Sequence, residues 1–170
     1  MEIRKAVPAD LNRIMDVYRA AQDFMIRTGN PNQWGHFYPT ADLLSKDIEA
    51  GVCFVLTRDG DLHGVFVVRF DEEPTYRVIE NGAWPNDCPY VTIHRIAGDG
   101  LVHGVFRAAA DFCAGLSDHI RVDTHADNRV MQRRIASCGF KKCGTIYLAN
   151  GSPRIAYQWD RDSSLSPIKL

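Results

Sequence analysis

The stretch that most constrains this chain is Val91–Phe106, VTIHRIAGDGLVHGVF. An apolar strand enters a glycine-bearing turn, and the turn enters an amphipathic helix. Such a helix start presents unpaired N–H groups and the positive end of the helix dipole, which makes it a ready phosphate site. Glycines in the turn let a ligand approach the backbone closely. A strand–turn–helix of this kind predicts an α/β arrangement with a ligand near the turn.

The flanking sequence predicts what surrounds it. Glu2–Ala6 reads as a strand. Pro8 then opens a helix carrying Leu11, Ile14, Met15, Tyr18, Gln22 and Met25 at helical spacing, and Gly29-Asn30-Pro31 stops it. Thr40 caps a second helix with Leu43, Leu44 and Ile48 on one face and Gly51 at its end. Val52–Thr57 and Leu62–Phe70 form a hairpin about Asp59-Gly60, and Tyr90–Ala97 is the fourth strand. The next helix carries Val102, Val105, Phe106, Ala109, Phe112, Cys113 and Leu116. Because that helix is a crossover, Ile120–Thr124 is expected parallel to Tyr90–Ala97. Asp127 or Asn128 caps a helix with Met131, Ile135 and Cys138, and Gly139 ends it. Phe140–Leu148 and Pro153–Trp159 are the last strands. The order β-α-α-β-β-β-α-β-α-β-β predicts an α/β (α+β) fold: a mixed, mostly antiparallel sheet of about seven strands with helices on both faces. One domain over residues 1–159 and a polar C-terminal tail over 160–170 are expected.

Composition excludes several classes. With 20 basic and 21 acidic residues the net charge is −1, and no basic block recruits nucleic acid or a membrane surface. The first residues lack the apolar run of a signal peptide, and no stretch approaches the roughly 20 apolar residues of a bilayer span. The five cysteines form no CxxC pair and sit mostly in apolar runs, so reduced thiols in a cytoplasmic protein are expected rather than a disulfide framework. No His/Cys spacing supports a metal site.

Three segments together resemble the GNAT superfamily of acyl-CoA-dependent N-acyltransferases. They are the opening IRKAVPADLNRIMDVY, the central IHRIAGDGLVHGVF and the run NRVMQRRIASCGF over residues 128–140. The resemblance spans roughly residues 2 to 159. It implies acetyl-CoA as acyl-donor cosubstrate and a primary amine, small or on a protein, as acceptor. The amine would attack the thioester directly in a ternary complex. The fourth and fifth strands would diverge to admit the pantetheine arm.

The family's phosphate turn, Gln/Arg-x-x-Gly-x-Gly/Ala, falls on Leu101, Val102, His103, Gly104, Val105 and Phe106. Gly104 is kept, whereas Leu101 and Phe106 depart from it. Phe106 is expected to crowd the diphosphate or push the helix outward. Backbone N–H groups near Ile96, Ala97 and Gly98 would polarise the thioester oxygen. Asn128 matches a position that contacts the pantetheine arm and is equally an N-cap.

An amine with pKa about 10.4 must lose a proton before attack. The resemblance makes His94 and His125 the candidate bases, each with a structural alternative, a hydrogen-bonded core histidine and a loop residue respectively. The tyrosine that often protonates the leaving thiolate is replaced by Ile135. Gln33, Trp34 and Tyr38, between the first two helices, are candidate acceptor contacts. The strands holding Val122 and Ile155 suggest a closing hairpin of the kind used in dimers, so a homodimer is a candidate assembly. A module of the same fold that binds CoA with little or no catalysis is the alternative reading.

Overall fold

The computed structural model describes residues 1–161. Seven strands form one sheet in the order β1-β2-β3-β4-β5-β7-β6. They are β1 (Glu2–Lys5), β2 (Cys53–Arg58), β3 (Asp61–Arg69), β4 (Val91–Gly98), β5 (His119–Thr124), β6 (Lys141–Tyr147) and β7 (Pro153–Asp160). The helices are α1 (Leu11–Arg27), α2 (Ala41–Glu49), α3 (Val105–Ala114) and α4 (Arg129–Ser137). All neighbouring strands pair antiparallel except β4 and β5, which run parallel around the α3 crossover.

Alternation along β2 and β3 separates two cores, as a sheet covered on both faces requires. Cys53, Val55, Val65 and Val67 pack with Ile14, Val17 and Tyr18 of α1 and with Leu44 and Ile48 of α2. Phe54, Leu56, Phe66 and Val68 face the other way, with Phe106, Ala109 and Cys113 of α3 and Ile135 of α4. The hairpin turn places Asp59 and Gly60 at φ of 54° and 90°, the pair of positive angles that suits a right-twisted two-residue turn.

Capping residues act as their types dictate. Thr40 Oγ1 accepts from Leu43 N at 3.2 Å, and Asn128 Oδ1 accepts from Met131 N at 3.1 Å. Three expectations are corrected. Val102 precedes α3, because Gly104 at φ 84° is its N-cap. Leu116 lies beyond the helix and is exposed, because α3 ends at Ala114 before Gly115. Asp160 belongs to β7, where it pairs with His119, and not to a tail. The rest of the expected tail, from 162 on, lies outside the described residues.

All five cysteines are free. Burial pushes the Cys53 and Cys113 thiols up to about 12, so neither ionises near neutrality. Among the described residues no helix is long and apolar enough to cross a membrane.

Candidate active site

The site begins where β4 and β5 part. Their parallel ladder holds only Val91 with Ile120 and Thr92 with Arg121. Beyond Thr92 the β5-facing edge of β4 has no strand partner, so its backbone groups are available to a ligand. A bulge in β4 falls at the same place. Val67 pairs with His94 and Val65 with Ala97, leaving Arg95 and Ile96 opposite Phe66. Arg95 has φ 51°, an uncommon angle for a non-glycine residue. Two contacts hold it there. The Tyr18 hydroxyl donates to Arg95 O at 2.6 Å, and the Arg95 guanidinium meets Asp47 at 2.8 Å.

The parted strands open a groove of about 1100 Å³ that runs past the start of α3. That volume exceeds an ordinary small-ligand pocket and suits two ligands meeting in one cleft. The fit to a phosphorylated ligand rests on the helix start. The first N–H groups of α3 have no intrahelical partner. A Cβ built on Gly104 meets only Met1 Cε, at 3.7 Å, so the approach is open. Asp99 stands in this loop, yet its carboxylate is turned inward. Oδ2 accepts from Arg13 at 2.6 Å and lies 2.9 Å from His63 Nδ1, while Oδ1 accepts from Leu101 N at 3.0 Å. The loop is thereby fixed and its acidic charge offset before any anion arrives.

All the expected donor-site residues line this groove: Ile96, Ala97 and Gly98 along β4, Leu101 to Phe106 around the helix start, and Asn128 across from them. Phe106 is a correction. Its ring is buried in the core, 5.7 Å from Phe140, so it neither crowds the helix start nor displaces α3. Ile135 is fully buried, so α4 offers no proton donor there.

His94 lines the groove, and its Nε2 lies 3.0 Å from Glu73 Oε2. Glu73 Oε1 in turn accepts from the Thr75 hydroxyl at 2.9 Å. The hydrogen bond from His94 outweighs burial and holds the Glu73 carboxyl at about 2. Glu73 is therefore an acceptor at neutral pH, and His94 Nε2 is the donor to it. Nearby, Asp123 is half-buried and accepts from the Tyr76 hydroxyl at 2.7 Å. Burial raises its carboxyl above the usual range.

His125 is also corrected. It does not line the groove, and its Nδ1 accepts from Asp127 N at 3.1 Å in the turn before α4. Tyr147 donates to Glu80 on the edge strand and does not itself line the groove. Gln33 lines the groove but acts first as a clasp. Its Oε1 accepts from Asn30 at 2.8 Å and from Asn128 at 2.9 Å, tying the α1–α2 loop to α4. Trp34 packs edge-on to Tyr18 and beside Tyr38, and both Trp34 and Tyr38 face the groove.

Sequence reasoning did not single out Glu73, Arg95, Asp123 or Arg154. Arg95, Asp123 and Arg154 each interrupt an apolar strand with a charge, which was the available signal. Glu73 lies in a polar loop and carried none.

Fold and groove together give a split sheet, a helix start open to a ligand beside the split, and a histidine–carboxylate pair in the same cleft. No family profile and no curated protein matches the chain. Solved structures do. An acetyltransferase of the GNAT family from Streptococcus agalactiae 2603 shares 30% identity with a TM-score of 0.80, over 95% of this chain and 96% of its own. A provisionally assigned acetyltransferase from Staphylococcus aureus Mu50 shares 25%, with a TM-score of 0.67, over 94% of this chain and 99% of its own. A GNAT-family structure from Listeria monocytogenes 4b F2365, 20% identical with a TM-score of 0.67 and 94% of each chain covered, shares the fold. The chain belongs to the GNAT family of acetyltransferases.

Proposed function

We propose that this protein transfers acetyl from acetyl-CoA to a primary amine, by direct attack within a ternary complex. The observation that carries the reading is the Glu73–His94 pair lining the groove that the parting of β4 and β5 opens beside the start of α3. Acetyl-CoA supplies an acetyl group activated as a thioester. The N–H groups at the start of α3 would hold its diphosphate. The unpartnered edge of β4 would run along its pantetheine arm, as an added strand pairs with a sheet edge. An N–H between Ile96 and Gly98 would donate to the thioester oxygen as charge gathers there.

His94 Nδ1 takes one proton from the bound ammonium, freeing the lone pair that attacks, and Glu73 steadies the imidazolium that results; the second proton leaves the nitrogen as the amide forms and passes to water. The new C–N bond forms, the C–S bond breaks, and CoA leaves as its thiolate. A thiol titrates near about 8.5, so it departs without a protonating group. That accommodates isoleucine at position 135.

The test is release of CoA thiol from acetyl-CoA with a panel of amines, comparing the wild type with His94→Gln. Loss of the base is expected to lower kcat about 100-fold or more while acetyl-CoA binding persists. Unchanged kcat in the variant would remove His94 from the mechanism. Acetyl-CoA that does not bind at all would remove the donor assignment.

A further inference from the structure

Arg154 is the second residue of β7 and lines the same groove, yet it is nine-tenths buried, with 6% of its surface exposed. Its Nη1 donates to Ser152 Oγ at 2.6 Å and to Pro153 O at 2.9 Å, both neutral acceptors. Nε and Nη2 make no hydrogen bond, and no carboxylate reaches Arg154 within ion-pair distance, among the described residues. The Nε–Nη2 edge can grip a carboxylate with two parallel bonds. Arg95, on the same groove, is different: Asp47 already offsets its charge.

A buried guanidinium without an anion is costly, and burial does depress the Arg154 pKa. The nearest relief is Asp123, whose own hydrogen bond comes from Tyr76. Asp123, half-buried on β5 and lining the same groove, lies within electrostatic reach of both His94 and Arg154. Trp34 and Tyr38 supply apolar wall between polar groups.

We infer that the acceptor is a small amine that also carries a carboxylate, of the amino-acid class, with its amine at His94 and its carboxylate on the free edge of Arg154. The inference rests on the acyltransferase reading and names the acceptor within it. An anionic acceptor completes the charge that the folded groove leaves unmatched. A neutral or purely cationic amine leaves Arg154 buried and unpaired.

Rates of CoA thiol release are compared for free amino acids, for the same amino acids as carboxamides, and for a peptide whose only free carboxylate is far from its amine. In the wild-type protein kcat/KM for at least one amino acid is expected to exceed that for its amide by about 30-fold or more. Arg154→Met is expected to erase that preference, chiefly by raising KM for the amino acid, and Arg154→Lys to restore part of it. Acetyl-CoA binding, read by thermal shift, is expected to persist in both variants. Equal rates for acid and amide overturn the inference. So does preference for the peptide, survival of the acid preference in Arg154→Met, or failure of every amino acid while acetyl-CoA still binds. The acid–amide comparison needs only wild-type protein, so a variant that fails to fold does not shield the claim. Absence of an acetyl-CoA shift in the wild type points instead to the underlying reading, and both fall.

Discussion

In the proposed reaction the proton chemistry turns on Glu73. Its two oxygens are fixed by His94 on one side and by the Thr75 hydroxyl on the other. With the carboxylate fixed, the His94 ring is held by its Nε2, and Nδ1 is the nitrogen the proposed reaction uses. The same bond ties the site to stability. The folded protein holds the Glu73 carboxyl at about 2, below its ordinary 4.5, so the unfolded chain binds the proton more readily across that interval. Its contribution is therefore full above pH 4.5 and disappears as pH falls to about 2. Melting temperatures of the wild type and Glu73→Gln, measured against pH, are expected to differ most above pH 4.5 and to converge toward pH 2. A difference that stays constant across that range would contradict the coupling. His94 was legible as a histidine in a predicted strand. Its partner was not, because pairing a loop glutamate with a strand histidine requires knowing how the β3–β4 connection folds back.

The elements follow local rules closely, and the departures have local causes. The Thr40 and Asn128 caps and the glycine stop at Gly139 were visible because they depend on neighbours in sequence. The start of α3 shifted to Val105 because Gly104, in the left-handed region, is the cap and cannot also be a helical residue. Phe106 was misjudged for the same reason. Once the helix begins at Val105, its second position turns toward Phe140 and the sheet. Asn128 joins two elements at once, capping α4 through Oδ1 and donating to Gln33 through Nδ2. Asn128→Ala is expected to cost about 1–2 kcal/mol, from the lost cap and the hydrogen bond left unmade at Gln33. Urea unfolding measures this, and a change within about 0.5 kcal/mol, as for an ordinary surface position, would contradict the clasp.

At the scale of the whole molecule the sheet order does what no segment does alone. The parallel pair β4–β5 sits in the middle of an otherwise antiparallel sheet, and its short ladder creates the split. Placing β7 between β5 and β6 brings Arg154 to the groove that β4 lines with His94. Sequence reasoning recovered the order of elements and the parallel pair, since helical crossovers and hairpins follow from connection length. It did not recover the wall formed by Glu73, Asp123 and Arg154, because three distant segments meet there only after the sheet is assembled. The expected donor residues did converge on one groove, because most of them belong to a single strand–turn–helix.

The central claim is that this groove holds acetyl-CoA across the split. A crystal structure of the protein with acetyl-CoA tests it most directly. The diphosphate is expected at the first N–H groups of α3, the pantetheine arm along the free edge of β4 beyond Thr92, and the thioester beside His94. Acetyl-CoA held elsewhere on the protein, or with its thioester remote from His94, would contradict the account.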